Sequence, residues 1–222
     1  MTELYIANTA PLNGDACFAA LLNTVRPERR ARVERIRRAE EQRRSLCAEL
    51  LLQRVLCTKG ITEYTVALGV HGKPYLVGHE DLFFNLSHAG KYVLCAISDK
   101  EIGCDIEGID PSIDLAVADR FFAPEESAWI RAAEARKEQV DRFFRLWTLK
   151  ESLMKATGQG FSLSPRSFSF AMENTSPTLH SPAQEHASFA FAELFAPDGY
   201  RASVCTLDTS VSKSLQTVEI ER

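Results

Sequence analysis

Apolar and polar positions along this chain change period several times, and each change marks an element. Leu4–Ala7 is a short apolar run of the kind that forms a buried strand. Helical spacing predicts helices over Gly14–Asn23, Pro27–Arg38 and Glu40–Cys57. The last carries Leu46, Leu50 and Leu51 on one face and stops near Gly60. The pattern then shortens to β segments at Thr65–Leu68, Leu82–Leu86, Lys91–Ser98 and Ile102–Ile106, with turns at Gly72, Gly90 and Asp99. A second helical stretch covers Pro124–Ala135 and Gln139–Thr157, closed by Gly158-Gln-Gly160. Strands follow at Ser167–Ala171, Ser188–Phe195, Tyr200–Leu207 and Gln216–Ile220, with Asn174–His186 reading as a surface loop. Helices then strands, twice, predict an α+β protein of two halves that join near residue 103. The halves share no residue-level repeat.

Several positions inside these elements carry chemistry. In Ile102-Gly-Cys-Asp-Ile-Glu107 apolar and acidic residues alternate, so a strand here turns Asp105 and Glu107 to one face and Cys104 and Ile106 to the other. Two ionised carboxylates so placed repel, and a hard divalent cation with oxygen ligands would offset that; the plain alternative is an exposed acidic face. On the helix Phe143–Ala156, Leu146, Leu149, Leu153 and Ala156 form one stripe, while Trp147, Glu151 and Lys155 form a second at spacings of four. The helix can bury its leucines and present Glu151 and Lys155 to a cleft; the plain alternative is a surface ion pair. Ser87 and His88 are adjacent on a strand and point apart, and no G-x-S-x-G elbow is present, so a serine hydrolase is not indicated. His71-Gly-Lys-Pro74 sets a cation beside a tight turn.

Composition adds limits. A hydrophobic fraction of 45% and a charged fraction of 25% over 222 residues are those of a soluble globular protein with a real core. No run approaches the roughly 18 apolar residues of a membrane span, and Met1-Thr-Glu-Leu-Tyr lacks a signal-peptide pattern, so the cytoplasm is expected. The net charge of −4 argues against generic nucleic-acid binding. Between Arg26 and Arg44, however, nine arginines face four glutamates, which is either a solvated helix face or a phosphate site. Six scattered cysteines without a CxxC pair read as reduced, mostly buried thiols rather than zinc ligands.

Together, His71-Gly-Lys-Pro74, Phe84-Asn-Leu-Ser-His-Ala-Gly90, Ile102-Gly-Cys-Asp-Ile-Glu107 and Leu146-Trp-Thr-Leu-Lys-Glu-Ser152 with Lys155 closely resemble the surfactin-type 4′-phosphopantetheinyl transferases. Arg120-Phe-Phe122 and Gly158-Gln-Gly-Phe-Ser-Leu163 match as well. The resemblance implies two pseudo-symmetric α+β halves, usually in a monomer, with the active site in the cleft between them. Residues 1–103 would form the coenzyme A side, and 104–222 the side of the metal ligands and the carrier protein. It implies Mg²⁺ on Asp105, Glu107 and Glu151. Coenzyme A would be held by Arg29, Arg32, Arg44, Ser45 and His88 at its 3′-phosphate, and by His71, Gly72, Lys73, Pro74 and Tyr75 on the adenine side, with Lys73 near phosphate. Ser87, Lys150 and Lys155 would face the pyrophosphate. A member of that family carries lysines where Arg29 and Arg32 stand. The implied reaction moves the phosphopantetheine arm from coenzyme A to a serine of an apo acyl or peptidyl carrier protein, in fatty-acid, polyketide or non-ribosomal-peptide synthesis. Asp105 would act at the metal, with Glu151 as candidate base and Lys155 as the runner-up. Pro111–Pro124 and Gly158–Pro165 are the stretches expected to meet the carrier. Rival readings are a Mg²⁺-dependent phosphohydrolase acting on coenzyme A or a related nucleotide, and a non-catalytic module binding coenzyme A or a carrier.

Overall fold

The computed structural model describes residues 1–172 and 177–220. The chain opens with strand β1 (Glu3–Asn8), then helices α1 (Asp15–Leu22), α2 (Pro27–Glu34) and α3 (Ala39–Thr58). Strands β2 (Val66–Leu68), β3 (Pro74–Leu76), β4 (Phe83–Ala89), β5 (Tyr92–Ser98) and β6 (Ile102–Gly108) follow. The second half adds α4 (Val117–Phe121), α5 (Pro124–Arg131) and α6 (Arg136–Thr157). After them come β7 (Ser169–Ala171), β8 (Thr178–His180), β9 (Ala190–Glu193), β10 (Tyr200–Thr206) and β11 (Gln216–Thr217). The fold is α+β, as the order of elements predicts.

Two sheets organise the molecule. One has the order β11-β1-β5-β4, antiparallel except that β11 lies parallel to β1; the other is the antiparallel β6-β10-β9. Alternation along β5 sorts its side chains: Val93, Cys95 and Ile97 pack with Leu46, Leu51 and Val55 of α3, while Leu94 and Ala96 face the second sheet. That sheet answers with Ile102, Cys104 and Ile106 of β6 and Ala202 and Val204 of β10. Its opposite face receives α6, whose Leu146, Leu149, Leu153 and Ala156 are essentially inaccessible. The layers are therefore helix, sheet, sheet, helix, and burial on both sides explains why β5 reads as an unbroken apolar run.

β6 lies beside β4 without a backbone ladder. Instead, Asn85 Oδ1 accepts from the Cys104 N–H at 2.9 Å, and Ser87 Oγ accepts from the Ile106 N–H at 3.4 Å. Side chains thus stitch the seam between the two sheets, at every second residue of each strand.

Several elements depart from the expected bounds. The helix predicted to run from Pro27 to Arg38 ends at Glu34, because Gln42 Nε2 donates to the Ile36 carbonyl at 2.8 Å and fixes a turn there. α5 ends at Arg131 and α6 begins at Arg136, with Gln139 Nε2 tying the turn through the Ala133 carbonyl at 2.8 Å. β3 and α4 carry no clear period and were not predicted. Of the expected loop over 174–186, residues 174–176 lie outside the described residues, whereas β8 pairs with β7. Only Gln216 and Thr217 of the predicted last strand form a ladder, although Val218 N–H still donates to the Ile6 carbonyl at 2.9 Å and Ile220 is buried in the first core. The six cysteines are free, and Cys57 is exposed. Among the described residues no helix is long and apolar enough to cross a membrane.

Candidate active site

The seam between β4 and β6 opens into a cleft of about 360 Å³ lined by Leu86, Ser87, His88, Asp105, Glu107, Trp147, Glu151, Lys155 and Phe161. Strand alternation supplies Asp105 and Glu107 from β6, and the i,i+4 face of α6 supplies Trp147, Glu151 and Lys155. One feature fixes how closely helix and strand approach. Gly103 meets α6 backbone to backbone, and a Cβ there would stand 2.8 Å from Ala156 Cα.

Asp105 is the centre of the site and is buried to 2% exposure. Its Oδ1 accepts from Lys155 Nζ at 2.6 Å and from Ser87 Oγ at 2.8 Å, and Lys155 Nζ also donates to Ser87 Oγ at 3.0 Å. Its Oδ2 is buried with no hydrogen-bond partner. Burial, and next the charge of Asp105, push the Glu107 carboxyl up to about 7, against the opposing pull of Lys155. Glu151 is raised for the same two reasons in the same order. For Lys155, burial works toward loss of the proton, but the ion pair with Asp105 outweighs it and the pKa is raised.

Three carboxylates thus share one ammonium, a surplus of negative charge in a partly dry space. The orphaned Asp105 Oδ2 and an all-oxygen donor set fit a hard divalent cation. Among the described residues, no group of three His, Cys, Asp or Glu side chains stands close enough together to hold a metal ion. Lys155 instead reaches into the acid cluster.

A second cleft of about 260 Å³ shares Glu151, Lys155 and Phe161 with the first, and is walled by His71, Gly72, Lys73, Pro74, Asn85 and Gly158. Lys73 Nζ donates to the Ala156 carbonyl at 2.6 Å and to Glu101 Oε2 at 2.5 Å. The cation therefore caps the C-terminus of α6 and braces the β2–β3 hairpin against the second half. Gly158 sits against the Lys73 stem in the left-handed conformation that ends α6.

The arginine region divides. Arg44 is only 14% exposed in its side chain; it donates to the Gly90 carbonyl at 3.0 Å and pairs with Glu41. Ser45 beside it is buried, and His88 lies near enough for the charges of Glu41 and Arg44 to act on it. Its pKa is lowered, by withdrawal from water first and by Arg44, with Glu41 opposing. Arg32 is exposed. Arg29 Nη2 donates to the Ser45 carbonyl at 3.0 Å, and its Nε lies 3.4 Å from the buried Glu49, which also accepts from Arg26 and Tyr64. Arg29 is thus committed to holding α2 on α3.

Lys150 does not reach the cleft, contrary to its expected place at a pyrophosphate. At 1% exposure it points into the second core, where its ammonium pairs with Glu126 at 2.8 Å and donates to the carbonyls of Pro165 and Phe168 at 2.8 and 2.7 Å. All three donors are used, and the Phe168 ring lies 4.4 Å from the nitrogen. Two residues at the seam had no place in the expected active site, although Phe161 lies in the Gly158–Pro165 stretch expected to meet the carrier. Asn85 was one letter of a motif without a role of its own. Phe161, 66% exposed and lining both clefts, follows two glycines where no period can single it out.

A family model described as "4'-phosphopantetheinyl transferase, N-terminal" matches residues 12–100, and one described as "4'-phosphopantetheinyl transferase superfamily" matches residues 101–205. A 4′-phosphopantetheinyl transferase of Bacillus subtilis is 31% identical over 188 residues, covering 83% of each chain. The transferase gsp of Aneurinibacillus migulanus is 34% identical over 88% of this chain and 81% of its own. Sfp of Bacillus subtilis strain 168 is 29% identical over 90% of both. With two adjoining family models and relatives of this identity along nearly its whole length, the chain belongs to the 4′-phosphopantetheinyl transferase superfamily.

Proposed function

We propose that this protein transfers the 4′-phosphopantetheine arm of coenzyme A to a serine of an apo acyl or peptidyl carrier protein, with Mg²⁺, releasing 3′,5′-ADP. The observation that carries the reading is the meeting of Asp105, Glu107, Glu151 and Lys155 in one cleft at the seam of the two sheets. Asp105, Glu107 and Glu151 would hold Mg²⁺, which when bound supplies Lewis-acid stabilisation of the charge developing on the phosphates. Arg32, Arg44, Ser45 and His88 grip the 3′-phosphate, and Arg29 supports them by fixing the Ser45 backbone. The His71–Pro74 turn takes the adenine side.

In the reaction the carrier's serine oxygen attacks the β-phosphate, and the bond to 3′,5′-ADP breaks. Lys155 is held protonated by Asp105, so it serves as fixed positive charge near the pyrophosphate and is a poor proton acceptor. Glu151 is therefore the preferred acceptor of the serine proton.

The test is incubation with a panel of apo-carriers, coenzyme A and Mg²⁺, read by intact mass. Gain of one phosphopantetheine arm is expected; no gain on any carrier overturns the assignment. Consumption of coenzyme A without a carrier would mark a phosphohydrolase instead. Asp105→Ala is expected to lower turnover by about a hundredfold or more, the scale of a lost electrostatic contact in the transition state, while coenzyme A still binds.

A further inference from the structure

The guanidinium of Arg44 is not waiting in open water. It faces the Glu41 carboxylate three residues earlier on α3, through Nη2–Oε1 and through an Nε–Oε2 contact at 3.4 Å. Its remaining Nη1 is held on the Gly90 carbonyl at 3.0 Å. Glu41 is 40% exposed in its side chain whereas Arg44 is 14% exposed, so the acid lies on the solvent side of a fixed base. Arg44 acts on this carboxylate by hydrogen bond and by charge, and the carboxyl pKa is lowered. His88 and Arg44 are reached from different elements, β4 and α3, so their convergence comes from the tertiary fold and not from helix periodicity.

We propose that Glu41 is a resident counter-anion in the phosphate site, displaced when the 3′-phosphate of coenzyme A enters, and that this competition lowers the affinity which that phosphate contributes. The inference rests on the reading of Arg44 and His88 as the 3′-phosphate grip. A doubly charged phosphate brings more charge and more acceptors than one carboxylate, and it can take over Arg44 with a net gain. A ligand without the phosphate leaves the Glu41–Arg44 pair standing and gains nothing there. Glu41 thus keeps Arg44 oriented and its charge compensated in the empty protein, and weakens coenzyme A binding by the strength of one partly exposed ion pair.

The experiment measures binding of coenzyme A and of 3′-dephospho-coenzyme A by calorimetry to the full chain, wild type, Glu41→Gln and Arg44→Gln, each checked for folding by circular dichroism. Glu41→Gln is expected to tighten coenzyme A by roughly two- to fivefold, the range an exposed pair allows, and to leave the dephospho ligand unchanged. The gain should shrink as salt rises. Unchanged or weaker coenzyme A binding in Glu41→Gln overturns the proposal, as does equal tightening of both ligands. The underlying reading fails separately: wild type that does not distinguish the two ligands, or Arg44→Gln that weakens both equally, removes the phosphate from Arg44 altogether. Glu41→Lys serves as the second charge variant and must tighten coenzyme A at least as much as Glu41→Gln does.

Discussion

Lys150 and Glu151 are neighbours on α6, and the helix turns them to different environments. Glu151 lines the cleft, while Lys150 is sealed among Phe122, Phe168 and Phe170 with Glu126 as counter-charge. Removing one member of such a pair leaves a buried charge uncompensated, so Lys150→Met is expected to destabilise the fold by about 3–5 kcal/mol in urea titration. Turnover per folded molecule should hold in that variant, whereas Lys155→Met, which strips Asp105 of its ammonium, should lose most of it. Glu107 gives a pH signature. Its carboxyl titrates near 7 in the folded chain but near the ordinary 4.5 when unfolded, so the folded state binds more protons between these values. Stability from this group is full below about 4.5 and is lost as pH rises through 7. Metal-free protein should therefore soften over that window, and Glu107→Gln should flatten the slope of unfolding midpoint against pH. A slope unchanged by the substitution would place the titration elsewhere.

At the scale of elements, the contact of β6 with α6 decides where the acids stand. Gly103 lets the two backbones touch, and Asp105, two residues on, points to the same face within reach of Lys155. Gly103→Ala must push strand and helix apart, and overpacking of a backbone contact costs about 3 kcal/mol. The variant should lose activity along with stability, and a wild-type denaturation curve would contradict the tight approach. The legibility of these elements follows from their physics. α3 and α6 are long and strongly periodic, so their leucine stripes and the Trp147–Glu151–Lys155 face were readable. The strand carrying Asp105 and Glu107 was readable for the same reason, since alternation alone assigns faces. β3, α4 and β8 are short, and at most five residues supply less than two helical turns or a few strand pairs from which to recognise a period.

For the whole molecule, the two halves share one interior. Leu4, Ile6, Leu94 and Ala96 from the first pack with Ile102, Cys104, Ile106, Ala202 and Val204 from the second, and β11 returns to pair with β1. A shared core of this kind predicts a single cooperative transition. Tryptophan fluorescence, which reports on Trp129 and Trp147 in the second half, and far-ultraviolet circular dichroism should give one coincident urea curve. Two separated transitions would show that the halves fold independently. What the sequence by itself determined is whatever depends on period and order: the element types, the paired faces of β6 and α6, the succession of motifs and through them the family. What only the tertiary structure decided is which charge faces which. Arg29 turned inward to Glu49, Lys73 to the end of α6, Lys150 to Glu126, and Glu41 onto Arg44. The reason is that a long basic side chain can reach several partners from one backbone position, and the one it takes depends on acids and carbonyls brought near by distant parts of the chain.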